Sequence, residues 1–261
     1  MKNKLQIKKY NSIFEKLGIK KNDTVLVNSN ILNFFLQKNN IFNPQELIDS
    51  LIKKISSKGT LIFPTFSWEF CDKKFFDYNL TKSVCGSLSN LTLLNKRDFK
   101  RTLNPIFSFT VFGKNRDKLI KMKHSNSFSL NSPFGYMIKN KAKNLFIDLD
   151  YKDAMTFVHV AEQAERVSYR YEKTFSGTYV DKFNKRKKKF FKMFVRKKNV
   201  NSTIIDKKFD KILEDQKAIR KIQNNKISFS ILDINSNIIL ITWSVFMRKE
   251  IQKKSGLIHY V

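Results

Sequence analysis

The chain reads as an α/β protein, with a central mixed, partly parallel sheet flanked by helices and a C-terminal β-hairpin region. Two observations lead there. Helical and strand signals alternate from the start of the chain through Pro64. The connections between them are short, which suits βαβ units more than an all-β meander.

The elements follow in order. Leu5, Ile7, Tyr10, Ile13, Phe14 and Leu17 recur at helical spacing and predict a helix over 4–17, with Gly18 as its C-cap. Thr24–Val27 is a short apolar strand that ends in Asn28-Ser29-Asn30, residues suited to a turn or a helix N-cap. Asn43 then caps a helix with Pro44 at its first position, and Leu47, Ile48, Leu51, Ile52 and Ile55 form its apolar stripe. Thr60–Phe63 is a buried strand closed by Pro64. An aromatic, irregular segment follows, from Phe66 to Tyr78, readable as core filling or as a pocket wall. Ser83–Gly86 reads as a turn, Leu88–Leu94 as a helix, and Ser108–Gly113 as a strand. Ser132–Gly135 reads as a tight loop and Leu145–Asp148 as a strand. Tyr179–Phe183 and Phe190–Val195 predict a hairpin joined by the basic run Lys185–Lys189, a solvated turn. Residues 206–224 predict an amphipathic helix, and Ile227–Leu232 with Ile238–Thr242 a second hairpin across Asp233–Asn237. No repeat or linker divides the chain, so 1–261 is expected to form a single domain.

Composition narrows the function. The 261 residues carry a net charge of +29. Nucleic acid, an anionic membrane and small anionic ligands all suit such a balance. Lys, Asn, Ile and Phe also share A/T-rich codons, and codon bias accounts for much of the excess. The basic residues are spread throughout and the aromatics fall within apolar runs, which disfavours a nucleic-acid-binding protein. No run is long and apolar enough to span a membrane, and the N-terminus lacks a signal-peptide core. Cys71 and Cys85 make no disulfide framework, so a cytoplasmic protein is expected. Nothing in the sequence chooses between monomer and dimer.

The chemistry is expected in Asp153–Glu165, read as a helix without Gly or Pro. Thr156, His159 and Glu162 lie three residues apart and so share a face. An imidazole beside a carboxylate can take a proton at neutral pH. The plainer reading is a polar helix face. Two ligands on one helix are too few for a metal site, so none is expected.

The sequence resembles the aminoglycoside 3-N-acetyltransferase family. The matching pieces come in order: Val25–Asn30, Gly59–Trp68, Arg101–Phe109, Ser132–Gly135 and Thr156–Glu162, with Tyr169-Arg170-Tyr171 and Phe209–Ile212 also fitting. The family usually has His where Asn28 stands, Ser where Asn30 stands and often His where Asn104 stands. The resemblance implies transfer from acetyl-CoA to a sugar amine. It implies His159 as the base, with Asp210 orienting the imidazole, and CoA held by Ser29, Asn30, Ile31, Thr65, Arg101, Ser108 and Phe109. The Thr156 hydroxyl is a candidate oxyanion donor. Trp68, Glu69, Asp77 and Tyr171 are candidates for contact with the acceptor. A Cys–His ping-pong route through Cys85 is a rival to direct attack. The charge favours an anionic acceptor, a nucleotide-linked amino-deoxy sugar used in surface polysaccharide synthesis, such as O-antigen, capsule or lipooligosaccharide. The alternative is an aminoglycoside in antibiotic resistance, which requires carboxylates such as Glu69, Asp77, Glu162 and Glu165 around the base.

Overall fold

Alternating side chains set the architecture: Val25 and Val27 pack on one side of a strand, Leu26 on the other. In a computed structural model, residues 10–36, 42–198 and 207–234 are described. The chain runs α1 (10–16), β1 (Thr24–Ser29), α2 (Leu32–Phe35), α3 (Pro44–Ile55), β2 (Thr60–Pro64), α4 (Glu69–Asp72), β3 (Phe75–Asp77) and α5 (Ser87–Leu94). It continues β4 (Lys100–Arg101), β5 (Phe109–Gly113), α6 (Arg116–Ile120), α7 (Pro133–Lys139), β6 (Lys143–Ile147), a 3-10 turn (Tyr151–Asp153) and α8 (Val158–Ala164). Last come β7 (Arg170–Val180), β8 (Arg186–Arg196), α9 (Lys207–Asp215), β9 (Ile219–Asn224) and β10 (Ile227–Asp233).

The seven-stranded sheet has the order β4-β5-β2-β1-β6-β10-β9. At its centre β1 pairs in parallel with both β2 and β6, so the carboxyl ends of all three open on one edge. The outer strands β5 and β10 run antiparallel. The sheet is therefore mixed and partly parallel, as the alternation of elements predicts. A second sheet, β3-β7-β8, joins Phe75–Asp77 in parallel to the long β7–β8 hairpin.

Two cores cover the main sheet. Val25, Val27, Leu61, Phe63, Leu145 and Ile147 meet α1 and α3 on one face. Leu26, Ile62, Phe109, Val111 and Phe146 meet α7, α8 and the second sheet on the other. Asn43 caps α3 through Gln45 N–H at 3.0 Å, and Gly18 ends α1 at φ +77°. Residues 4–9 of the expected first helix lie outside the described residues.

Several sequence expectations change. Ser132–Gly135 is not a tight loop: the Ser132 hydroxyl caps α7, and Pro133 opens it. The expected helix over Asp153–Glu165 shortens to Val158–Ala164, with a 3-10 turn ahead of it and Thr156 in the connection. The basic run does not form a turn. Arg186–Lys189 lies inside β8 and stays largely exposed, and the turn is Asp181–Lys185. The helix expected over 206–224 stops at Asp215, and Ile219–Asn224 becomes a strand. Its partner is β10, so the final described hairpin turns at Asn225–Lys226; Ile238–Thr242 lies outside the described residues.

Candidate active site

A cleft of about 680 Å³ opens at the carboxyl edge of the three parallel strands. Such edges collect ligands because the loops after successive strands converge there. Asn28–Leu32 follow β1, Phe66 and Trp68 follow β2, and Leu149, Asp153, Ala154, Thr156 and His159 follow β6. Val84–Ser87 and Phe107 complete the wall. Among the described lining residues Asp153 is the one carboxylate, and there is no Lys or Arg.

His159 sits in the first turn of α8, its N–H on the Thr156 carbonyl at 3.2 Å. Its side chain is 26% exposed, enough to present one ring edge to the cleft. The other edge faces inward, where Nδ1 meets Glu162 Oε2. The i,i+3 spacing produces this contact, as the sequence predicts. Phe128 packs edge-on against the imidazole at 5.1 Å.

Glu162 is fully buried, and a buried carboxylate must be compensated. Arg170 Nε lies 2.7 Å from Oε2, and the Tyr169 hydroxyl donates to Oε1 at 2.9 Å. Burial alone raises this carboxyl, but His159, Arg170 and Tyr169 together hold it below the usual carboxylate range. Burial lowers His159 against the opposing pull of Glu162, and Arg170 lowers it further, so the ring is neutral at pH 7. The carboxylate therefore orients the imidazole without forcing it into the cationic form.

The other expected site residues divide. Ser29, Asn30, Ile31, Thr156 and Trp68 line the cleft, and Trp68 stands edge-on to Phe107 at 5.6 Å. Thr65, Ser108, Phe109 and Arg101 do not; all are buried. They form an internal brace. Arg101 Nε donates to Ser108 Oγ at 3.0 Å, and its outer nitrogens reach the carbonyls of Thr81 at 2.6 Å and Thr65 at 3.2 Å. Asp210 does not approach His159, whose Nδ1 is taken by Glu162; it pairs with Lys152 at 2.7 Å in a separate depression. Asp77 accepts the N–H groups of Asn79 and Leu80 and shapes that turn. Glu69 pairs with Lys73, Glu165 is exposed outside the lining, and Tyr171 lies exposed on β7. The expected carboxylate cluster does not assemble.

Where the family usually has His, Asn28 donates to Asn144 at 2.7 Å beneath the cleft, and Asn104 accepts the N–H groups of Ile106 and Phe107. Cys85 reaches the cleft, but burial pushes its thiol up, away from the thiolate that nucleophilic attack requires. Sequence reasoning missed Arg170, Tyr169 and Phe128 as supports of the base. It also missed the start of α5: Gly86 takes φ +91°, no side chain caps the helix, and its first N–H groups open beside the cleft. Such an N-terminus suits a phosphate or a developing negative charge. Among the described residues no group of three or more His, Cys, Asp or Glu side chains converges as a metal site would require, and no helix is long and apolar enough to cross a membrane.

The sequence profile of the family described as aminoglycoside 3-N-acetyltransferase matches residues 38–238. The SPbeta prophage-derived aminoglycoside N(3′)-acetyltransferase-like protein YokD of Bacillus subtilis (strain 168) is 26% identical over 177 residues, 59% of this chain and 62% of that relative. The chain thus matches less than two thirds of that relative's length. The crystal structure of YokD from Bacillus subtilis is similar with a TM-score of 0.73 at 18% identity, covering 97% of this chain and 95% of that one. AAC-IIIb, solved as a binary complex with CoASH, gives 0.76 at 13% identity, covering 93% and 96%. Sisomicin-bound AAC-VIa gives 0.72 at 16%, again covering 93% and 96%. At these identities the structural likeness speaks to the fold, and the profile match over most of the chain carries the assignment: this protein belongs to the aminoglycoside 3-N-acetyltransferase family.

Proposed function

We propose that the protein transfers an acetyl group from acetyl-CoA to the amine of an amino sugar by direct attack, with His159 as general base. The observation that carries this reading is the imidazole on the cleft wall, held from behind by Glu162, which Arg170 and Tyr169 hold in turn. The fit to acetyl-CoA rests on three features of the chain: a cleft of about 680 Å³, the uncapped start of α5 for phosphate, and the apolar wall of Phe66, Trp68 and Phe107. Ser29, Asn30 and Ile31 line that cleft, and their part in this reading is to hold the cofactor.

Acetyl-CoA supplies the activated acyl group, and the protein supplies the proton transfers and orientation. A sugar ammonium must lose a proton before its nitrogen can attack. His159 takes that proton on the ring edge facing the cleft, while Glu162 fixes the tautomer through Nδ1. The Thr156 hydroxyl and the first N–H groups of α5 are the donors available to developing negative charge. The raised Cys85 thiol argues against a covalent enzyme intermediate. The free Cys71 and Cys85 suit a reducing cytoplasm.

For the acceptor we propose an amino-deoxy sugar linked to a nucleotide, in surface polysaccharide synthesis. A polycationic aminoglycoside would require acidic contacts, and Asp153 is the one carboxylate among the described lining residues. The net charge of +29 favours an anionic acceptor by long-range attraction, since no Lys or Arg is among those lining residues. The test is CoA release from acetyl-CoA with panels of nucleotide-linked amino sugars and aminoglycosides, wild type beside His159→Ala. Turnover confined to the first panel and lowered by about 100-fold or more in the variant is expected. Turnover confined to aminoglycosides sinks the acceptor assignment; an undiminished variant sinks the base.

A further inference from the structure

Away from the catalytic cleft, the second sheet and the body of the protein enclose a pocket of about 350 Å³. Its wall carries five cations, Lys96, Lys100, Arg101, Arg116 and Lys182, against one carboxylate, Asp117. That carboxylate is already engaged with Arg116 at 3.1 Å. Tyr78, Asn79, Thr92 and Thr110 add polar groups.

Arg101 makes this imbalance informative. It is 4% exposed, yet every hydrogen bond it donates goes to a neutral acceptor: the carbonyls of Thr65, Tyr78 and Thr81, and Ser108 Oγ. Phe76 lies under the guanidinium at 4.7 Å. Among the described residues no carboxylate lies within ion-pair distance of Arg101, Lys96, Lys100 or Lys182. Asp77 and Glu69 act on Arg101 only from beyond ion-pair distance and do not offset its burial. A buried cation so weakly compensated is costly, and further cations gathered around it make the cost larger. Burial lowers the Arg101 pKa to about 10, which expresses the same cost. Codon bias can enrich Lys over a whole surface. It does not gather five cations around one concavity against a single carboxylate.

We propose that this pocket is a second ligand site, separate from the acyl-transfer cleft, that binds a small phosphate-bearing anion. Lys100 Nζ meets the Lys96 carbonyl and Lys182 Nζ lies over the Phe183 ring at 4.9 Å, neutral partners that leave both charges available to a phosphate group on this wall. The site spans both sheets: Lys182 belongs to the β7–β8 hairpin, and Asn79 donates to the Lys182 carbonyl at 3.4 Å. A bound anion would therefore fasten the hairpin to the body.

The test is titration calorimetry with inorganic phosphate and, in a second arm, glycerol 3-phosphate, each against sodium chloride at equal ionic strength. The variant combines Lys96→Gln, Lys100→Gln and Lys182→Gln, three exposed positions outside the catalytic cleft, with an unchanged thermal melt as the control for folding. Saturable binding to the wild type, weakened about tenfold or more in the variant with CoA release unchanged, is expected. Tighter binding of the ester than of inorganic phosphate would assign the natural ligand to phosphate esters, and the reverse to free phosphate. Heat no different from that of the chloride control, or equal affinity in wild type and variant, would overturn the proposal.

Discussion

His159 is pulled two ways. Burial lowers its pKa, Glu162 raises it, and Arg170 lowers it again. The net depression sets the pH dependence. Activity rises as the ring loses its proton, and the inflection is expected below the ordinary imidazole value of about 6.5. Arg170→Met removes a lowering influence, so the same limb should move to higher pH. It also removes the cation paired with buried Glu162 and leaves it only His159 and the Tyr169 hydroxyl, for an expected loss of about 3–5 kcal/mol in denaturant unfolding. Glu162→Gln should move the limb the other way and lower kcat, because the tautomer is no longer fixed. For stability the sign follows the carboxyl. Glu162 is depressed, so its contribution is present above the usual carboxylate range and is lost as pH falls through its folded pKa. A stability–pH curve that keeps this acid slope in Glu162→Gln would contradict the assignment. At this scale the sequence disclosed the His159–Glu162 pair, because i,i+3 spacing is local. It could not disclose Arg170, which reaches the carboxylate from the start of a different element, β7. Asp210 went astray because a family position does not fix which partner an acid finds once Lys152 lies 2.7 Å away.

The elements were legible where punctuation and period agreed. Asn43-Pro44 marks the start of α3 chemically, and Asn43→Ala should cost about 1 kcal/mol of stability by thermal or denaturant melting. The parallel frame followed from the alternation of helices and strands. The failures share a cause. Residues 206–224 keep an amphipathic pattern across the Gln216-Lys217 turn, so a helical period hides the change to Ile219–Asn224. Which strand then pairs with β10 is a long-range fact. The β7–β8 hairpin of the second sheet was legible in outline, but its pairing with β3 was not, since β3 and β7 are separated by about a hundred residues in sequence. Their contact depends on Gly177, where an added Cβ would lie 2.4 Å from the Lys74 carbonyl oxygen. Gly177→Ala should cost roughly 1–3 kcal/mol, read in denaturant melts, because backbone must yield rather than a side chain.

Over the whole molecule, a charge of +29 acts at a distance that the cleft lining does not match. Attraction of this kind is screened within about 8 Å at physiological salt. For a nucleotide-linked acceptor, KM should therefore rise with added salt while kcat holds steady; a salt-independent KM would remove charge as a determinant of the acceptor. The net charge itself was plain from composition, but its distribution around the cleft was not, because side chains far apart in the chain decide what lines a cavity. The Arg101–Ser108–Thr65 brace has a different bearing. It fixes the chain just behind the cleft through buried contacts, so the loop residues that line the opening are free to vary while the scaffold beneath them stays put. Exchanging Trp68, Val84 or Leu149 is therefore expected to change which acceptor is used while leaving the base and its supports in place, which separates specificity from scaffold.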